Sequence, residues 1–587
     1  MRGIIAMLEA GAGMCAFRQR SAQEIDRRRI TDREVSMGGR PSMAVLTCTL
    51  LCSPHADAQT TADMGPVALR GTVSSAQEGA MEGVLVSAKK TGSTITTTVA
   101  TDEKGHYAFP ASRLQPGHYV IAVRAVGYSL NETKAAEIAA DNVASADIAL
   151  EKVTDLHQLA DQLTNGEWLN SMPGNGFGCA DCHTLQRIVN STHTADEWME
   201  VIPRMATYSN GSTPAQPQPL VPGPRQANEA PRNQAQLRRT AEYLASINLS
   251  KGPDWSYPLK PLPRPKGRAT HVIITTYDLP RPEAMPHDAI TTPDGHAWYS
   301  DFGHQFIGEL DPQTGQVTDY AFPTLKPDEP KGFLEIESDP DGNVWGAGMY
   351  QGLIAKIDGK TKALSVYPIP REWQSNSTQE SMVAPQFSNI DGKVWANNQD
   401  DHSILRLDTK TGKFENLGQV KTVGGQTIVG YGISPDQHNN LYVLQFRGSE
   451  IGRIDAQTKE LKIYKTPFPA SRPRRGRIGA DGNLWFAEFG ANAVAMFDPK
   501  TETIKEWLLP IKHSNPYDVV RNAKGDVWTG SEYTDRVTRL DPVTGEFVDY
   551  LMPQEVNIRR VFFDDARNEF WIGANHSAAL LKVEPLD

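Results

Sequence analysis

The sequence predicts a multidomain, mainly β protein: a small β-sandwich, a short all-helical segment and a seven-bladed β-propeller. Three observations predict it. Short alternating apolar–polar runs broken by Gly, Pro and Asp fill residues 65–152; apolar spacing of three and four governs 153–250; and a repeat of 43–50 residues occupies 271–587. At 587 residues the chain exceeds a single domain, and its 48 Gly and 40 Pro favour short strands and tight turns. The net charge of −11 excludes the basic surface that a nucleic-acid partner requires.

The first 58 residues read as a targeting segment. Arg40, the apolar run from Met43 to Cys52, and Ala56-Asp57-Ala58 before Gln59 follow the order of a secretory signal peptide: basic start, apolar core, small-x-small cleavage site. Translation starting at Met37 or Met43 fits this better than Met1. Leu51 before Cys52 disfavours a lipoprotein anchor. Cleavage near Ala58 removes eight Arg and six acidic residues, leaving a mature charge of −13 and only two cysteines, Cys179 and Cys182. No later apolar run reaches the length of a membrane helix, so the expected location is periplasmic or secreted.

Residues 65–152 carry "GTV" at Gly71, "GVLVSAK" from Gly83, "TDEKGHYAF" from Thr101 and "LQPGHYVIAVRAVGY" from Leu114. These resemble a carboxypeptidase regulatory-like domain, which implies a transthyretin-like β-sandwich serving as spacer or interaction surface. No catalytic grouping is expected there.

Residues 153–250 contain three amphipathic stretches, "VTDLHQLADQL", "TADEWMEVIPRMATY" and "QLRRTAEYLASINL", expected to be helices. A Pro-rich stretch, 251–270, then reads as an interdomain linker.

Between the first two helices lies Cys179-x-x-Cys182-His183, the spacing of c-type haem attachment. The two thiols form thioethers to the haem and the adjacent imidazole ligates iron. Zinc would require a second ligand pair, a thioredoxin-like dithiol would sit in a βαβ unit, and a plain disulfide leaves His183 without a role. The segment therefore resembles a small monohaem class I cytochrome c, with "LRRTAEYLASINL" similar to the C-terminal helix that packs on the haem. Met205, 22 residues after His183, is the expected sixth ligand; Met172 and His193 are alternatives, and Met199 reads as core.

The repeat from 271 onward aligns on Trp298, Trp345, Trp395, Tyr442, Trp485, Trp528 and Trp571, each after a turn, and an Asp-x-x-Thr turn recurs from Asp311 to Asp541. Seven units of four strand-like runs, with "HVIITTYDLP" closing the ring, make a seven-bladed propeller. "LWFAEFGANAVAMFD" and the loops at Pro473 and Pro516 resemble the blades of streptogramin B (virginiamycin B) lyases. That resemblance implies metal-assisted elimination on a cyclic depsipeptide ester, carried by histidines after the first-strand prolines, by nearby glutamates and by a Mg2+ ion.

Here the two later loops read Pro473-Arg474 and Pro516-Tyr517, neither supplying a neutral imidazole base, while Pro286-His287 keeps the pattern in another blade. Glu488 and Glu532 match family glutamates. The candidate catalytic set is therefore His287, Glu488, Tyr517 and Glu532. Residues starting the blades converge on the channel, and Arg474, Arg475, Arg559 and Arg560 among them suit an anionic carboxylate or phosphate ligand, unless acids such as Glu335, Glu337 and Glu488 neutralise them. The blade tryptophans read as packing. Seven blades rather than eight argue against a quinone-dependent dehydrogenase, and the scattered propeller histidines argue against a copper cluster.

Two enzymatic readings follow: a periplasmic oxidoreductase whose covalent haem c exchanges electrons with a substrate or redox partner protein, or a carbon–oxygen lyase with the cytochrome as accessory. A third is a non-catalytic binding scaffold.

Overall fold

In the computed structural model, residues 65–173, 180, 183–221, 233–249, 257–374, 381–398, 401–421, 424, 425, 427 and 430–587 are described. The expected targeting segment, Cys179 and Cys182 lie outside them. Pro66–Asp587 forms one compact unit, and no helix among the described residues is long and apolar enough to cross a membrane.

The chain is mainly β. Six four-stranded antiparallel sheets follow one another from Pro286 to Leu551. A seventh blade is made of Val561–Asp564, Glu569–Ala574, Ala579–Pro585 and, as its outermost strand, Val272–Asp278 from the start of the repeat. Seven antiparallel pairs, Val272↔Pro585 to Asp278↔Ala579, close the ring with strands from both ends of the repeat. The recurrent turn works as its composition dictates: Asp311, Asp358, Asp408, Asp455, Asp498 and Asp541 each accept a backbone N–H two residues on. The seven blade aromatics are at most 3% exposed, and several stack on the outermost strand of their own blade, as Trp298 does on Tyr320 at 5.5 Å and Trp485 on Trp507 at 5.5 Å. Their role in packing is as expected.

Residues 66–152 form the expected β-sandwich, built on Leu69, Val73, Val86, Phe109, Ile121 and Ile148. It is not a loosely tethered spacer. Its strand Ile95–Ala100 pairs with Val272–Asp278, so one eight-stranded sheet runs from blade 7 into the sandwich. An otherwise open sheet edge is thereby covered. Arg124 adds bonds to the carbonyls of Met552 (2.7 Å) and Gln554 (2.8 Å) and to Asp535 (2.8 Å).

Among the described residues, five short helices lie between sandwich and propeller: α1 Leu156–Ala160, α2 Asn165–Ser171, α3 Gln186–Val189, α4 Ala195–Met205 and α5 Gln234–Ser246. The first two expected stretches contain α1 and α4, and the third overlaps α5, which starts two residues earlier, at Gln234. Helix α2 has a capping box in which Thr164 and Glu167 satisfy each other's backbone N–H groups. The Pro-rich stretch expected as a linker is packed where described. Leu262 N–H donates to Glu167 (2.7 Å), Arg536 donates to the Pro263 carbonyl (2.5 Å) and Arg264 to the Glu82 carbonyl (2.9 Å).

Candidate functional site

The residues that start each blade's first strand are paired irregularly with the second strand. Register shifts follow Pro286, Phe333, Gly430, Pro473 and Pro516. A bulge re-aims side chains, and here it brings two consecutive residues from several blades into the central contacts. His287-Asp288, Arg474-Arg475 and Tyr517-Asp518 are such pairs.

The first members form a hydrogen-bonded chain. His287 Nδ1 lies 2.6 Å from Asp288 Oδ1, His287 Nε2 lies 3.0 Å from Tyr517 Oη, and Tyr517 Oη meets Tyr431 Oη. Burial pushes the imidazole down to about 3, more than Asp288 restores, so His287 is neutral at pH 7. Its Nδ1–H donates to the carboxylate, and Nε2 accepts from the phenol. Burial alone would raise Asp288, but Arg475, the His287 hydrogen bond and Arg560 hold it down to about 2. Arg474 lies over the Tyr517 ring at 3.7 Å and donates to Glu532 at 2.6 Å; Arg559 lies 3.7 Å from the same carboxylate.

The second members belong to a buried ionic network. Arg475 faces Asp288 (3.3 Å) and Glu335 (3.9 Å); Arg560 faces Glu335 (2.5 Å), Glu337, Asp288 (3.7 Å) and Asp518 (3.6 Å). Arg477 reaches Glu337 (3.7 Å) and Asp518 (3.6 Å). The four arginines expected to grip an anion are thus each matched by carboxylates of the protein, the alternative left open on the sequence.

Glu488 stands apart from this network. Burial and the neighbouring Glu506 push its carboxyl up to about 9, so it is protonated at neutral pH. Among the described residues, the one three-ligand grouping is Asp294, His296 and Glu309, and Lys362 already lies 2.8 Å from Glu309. It includes none of the candidate catalytic residues.

Over the chain of His287, Tyr517 and Tyr431 lies an aromatic layer. Phe302 stacks on His287 at 4.8 Å, Phe446 meets Tyr431 at 5.3 Å, Phe489 meets Phe446 at 5.6 Å and Tyr533 meets Phe489 at 6.0 Å. The helices sit on this layer. Trp168, Leu185, Ile188 and Leu244 share one apolar cluster with Phe489 and Tyr533. Gly166 N–H donates to the Tyr533 carbonyl at 2.6 Å, and a Cβ on Gly166 would stand 2.5 Å from Thr534 Cγ2, so the approach requires glycine. Gln218 donates to the Gly303 carbonyl (2.9 Å) and accepts from Lys331 N–H (2.8 Å). His287 and Tyr517 are fully buried beneath this cap.

Within the cap, His183 Nδ1 lies 2.8 Å from the Thr184 carbonyl. That bond requires Nδ1–H and leaves the Nε2 lone pair for a metal. Met172 is buried in the cap's apolar cluster, His193 packs edge-on against Trp198 at 5.0 Å, and Met205 is 45% exposed at the end of α4.

Residues 329–584 match the Virginiamycin B lyase family, and residues 68–151 match the carboxypeptidase regulatory-like domain. The propeller is thus virginiamycin B lyase-like, and the sandwich is of the regulatory type. Among solved structures, virginiamycin B lyase from Staphylococcus aureus is 20% identical, spanning 53% of this chain and 99% of its own, with a TM-score of 0.46. A streptogramin B lyase structure is 19% identical, spanning 54% and 99%, also at 0.46. An extracellular domain of a hybrid two-component system from B. thetaiotaomicron is 17% identical, spanning 52% and 41%, at 0.40. No curated protein matches the sequence.

The structure thus brings His287, Tyr517, Arg474, Arg559 and Glu532 together, sets Arg475 and Arg560 in the ionic network, and leaves Glu488 outside. The sequence reading missed Asp288, Asp518 and the aromatic layer. Phe302, Phe446 and Phe489 each stand four residues after a blade aromatic, a periodic signal that could have revealed the layer.

Proposed function

We propose that the chain is an exported monohaem c-type cytochrome whose helical segment is seated as a cap on a virginiamycin B lyase-like propeller, and that it transfers electrons between the haem and a substrate or partner. The observation that carries this reading is the seating itself: the helices flanking Cys179-x-x-Cys182-His183 pack on Phe489 and Tyr533, over the point where the blade starts converge. Cys179 and Cys182 would hold the haem covalently, and His183, with Nδ1 already engaged, would ligate iron. Bound there, the haem supplies one-electron transfer. The chain's own contribution is to bury His287 and hold it neutral, and to line up Tyr517, Tyr431, Phe446, Phe489 and Tyr533 at ring separations of 5.3–6.0 Å between channel and cap. The His287 Nε2 hydrogen bond fixes the orientation of the Tyr517 phenol.

A second reading, a carbon–oxygen lyase, is favoured by the family match over residues 329–584. Against it, the imidazole in the central contacts among the described residues is His287, which is fully buried. One preparation tests both. Protein exported in a host that attaches haem is scanned oxidised and reduced, then incubated with a streptogramin B and Mg2+. The expected result is sharp c-type bands and no ring opening. Colourless folded protein that opens the ring, with loss of that activity in Glu532→Ala, would establish the lyase instead.

A further inference from the structure

We infer that the cavity where sandwich, cap and propeller meet is a binding site for a small uncharged polyol, of the size and chemistry of a monosaccharide, with or without haem in the chain. The cavity measures about 320 Å³, at the small end of the range for ligand sites, about 300–1,000 Å³. Each part supplies a wall: Val126 and Tyr128 from the sandwich, Asn165 and Thr184 from the cap, Tyr533 and Gln554 from the propeller.

The buried charges at this cavity are already paired. Glu532 accepts from Arg474 (2.6 Å) and Asp535 from Arg124 (2.8 Å), and both acids are at most 5% exposed. A charged ligand therefore finds no spare buried counter-charge.

Hydrogen bonding is left open instead, and in both senses. Asn165, the first residue of α2, is 8% exposed, and its Oδ1 accepts from Leu185 N–H (2.9 Å), which leaves its amide NH2 as a donor without a partner. Gln554 donates its NH2 to Ser577 Oγ (2.9 Å), which leaves Oε1 as an acceptor. Glu555 holds His576 Nδ1 with Oε1 (2.8 Å), which leaves Oε2. Buried polar groups normally have partners, and a free donor in the cap beside free acceptors on the propeller calls for a ligand with both. An ammonium only donates and a carboxylate only accepts, whereas a hydroxyl does both. A ring bearing several hydroxyls answers both sides at once and ties the cap to the propeller. The sandwich side is already fixed: Gln162 accepts from Gly127 N–H (2.7 Å) and donates to the Tyr128 carbonyl (3.1 Å).

The test uses the full-length chain with glucose, galactose, mannose or N-acetylglucosamine, and with glucosamine and glucuronate as cationic and anionic rings. A neutral sugar should raise the melting temperature with its concentration and slow proteolytic cutting within 153–250. Asn165→Asp keeps the acceptor for Leu185 and removes the donor; it should weaken binding about tenfold and leave the sugar-free melting temperature little changed. Thr184→Trp, which fills the cavity, should abolish binding. Binding confined to glucosamine or glucuronate overturns the uncharged assignment. Binding undiminished in either folded variant overturns the site. No binding of any of these compounds leaves the cavity to water and overturns the proposal.

Discussion

The Oη of Tyr517 lies 3.0 Å from Nε2 of His287, joining blades 6 and 1 across the channel, and His287 in turn lies 2.6 Å from Asp288. Replacing Tyr517 by Phe keeps the ring beneath Arg474 but leaves a buried imidazole nitrogen without its donor. An unsatisfied buried acceptor costs about 1–3 kcal/mol. Chemical denaturation should show a loss of that size with an unchanged m-value, and Tyr517→His, which can donate again, should recover part of it.

Arg560 faces four buried carboxylates, Asp288, Glu335, Glu337 and Asp518. Removing the cation as Arg560→Met leaves the four carboxylates only Arg475 and Arg477 as cationic partners among the described residues, at a cost of about 3–5 kcal/mol for breaking a buried ionic network. Because the guanidiniums are already matched, phosphate or a dicarboxylate should not raise the melting temperature of the wild-type protein. A concentration-dependent rise would mean that an anion site does exist here.

Two groups shift stability with pH in opposite senses. His287 is held neutral down to about pH 3, whereas the unfolded imidazole protonates near 6.5. The unfolded state therefore binds more protons between those limits, and stability falls as pH drops through that window. Glu488 is held protonated up to about pH 9, whereas the unfolded carboxyl ionises near 4.5. The folded state binds more protons there, so stability falls as pH rises from 4.5 to 9. Glu488→Gln should flatten the alkaline side of a melting-temperature profile and leave the acid side unchanged.

Gly166 tests the seating of the cap. Gly166→Ala forces a methyl to 2.5 Å from Thr534 Cγ2 and pushes Gly166 N–H away from the Tyr533 carbonyl. Overpacking of this kind costs about 1–3 kcal/mol. Limited proteolysis should cut within 153–250 faster in the variant, while the propeller core stays intact.

The repeat was legible because propeller blades are self-similar: an aromatic in each of seven units and an Asp-x-x-Thr turn in six of them announce seven sheets before any contact is known. The channel was legible in half. His287, Arg474 and Tyr517 follow blade-start prolines, but their partners Asp288 and Asp518 are the next residues along, and only the bulge turns both toward the centre. In a regular strand, consecutive side chains would point to opposite faces. Helices α2 and α3, at seven and four residues, are too short for an apolar period to emerge, and α2 is held by its cap and by Tyr533 of the propeller.

The most direct test of the central claim is the intact mass of the chain exported in a haem-attaching host, read together with its colour after denaturation. The account predicts an added mass of one haem, colour retained by the unfolded chain, and loss of both in the Cys179→Ser, Cys182→Ser double variant. A folded wild-type chain carrying two unmodified thiols or a disulfide, and no colour, would contradict it.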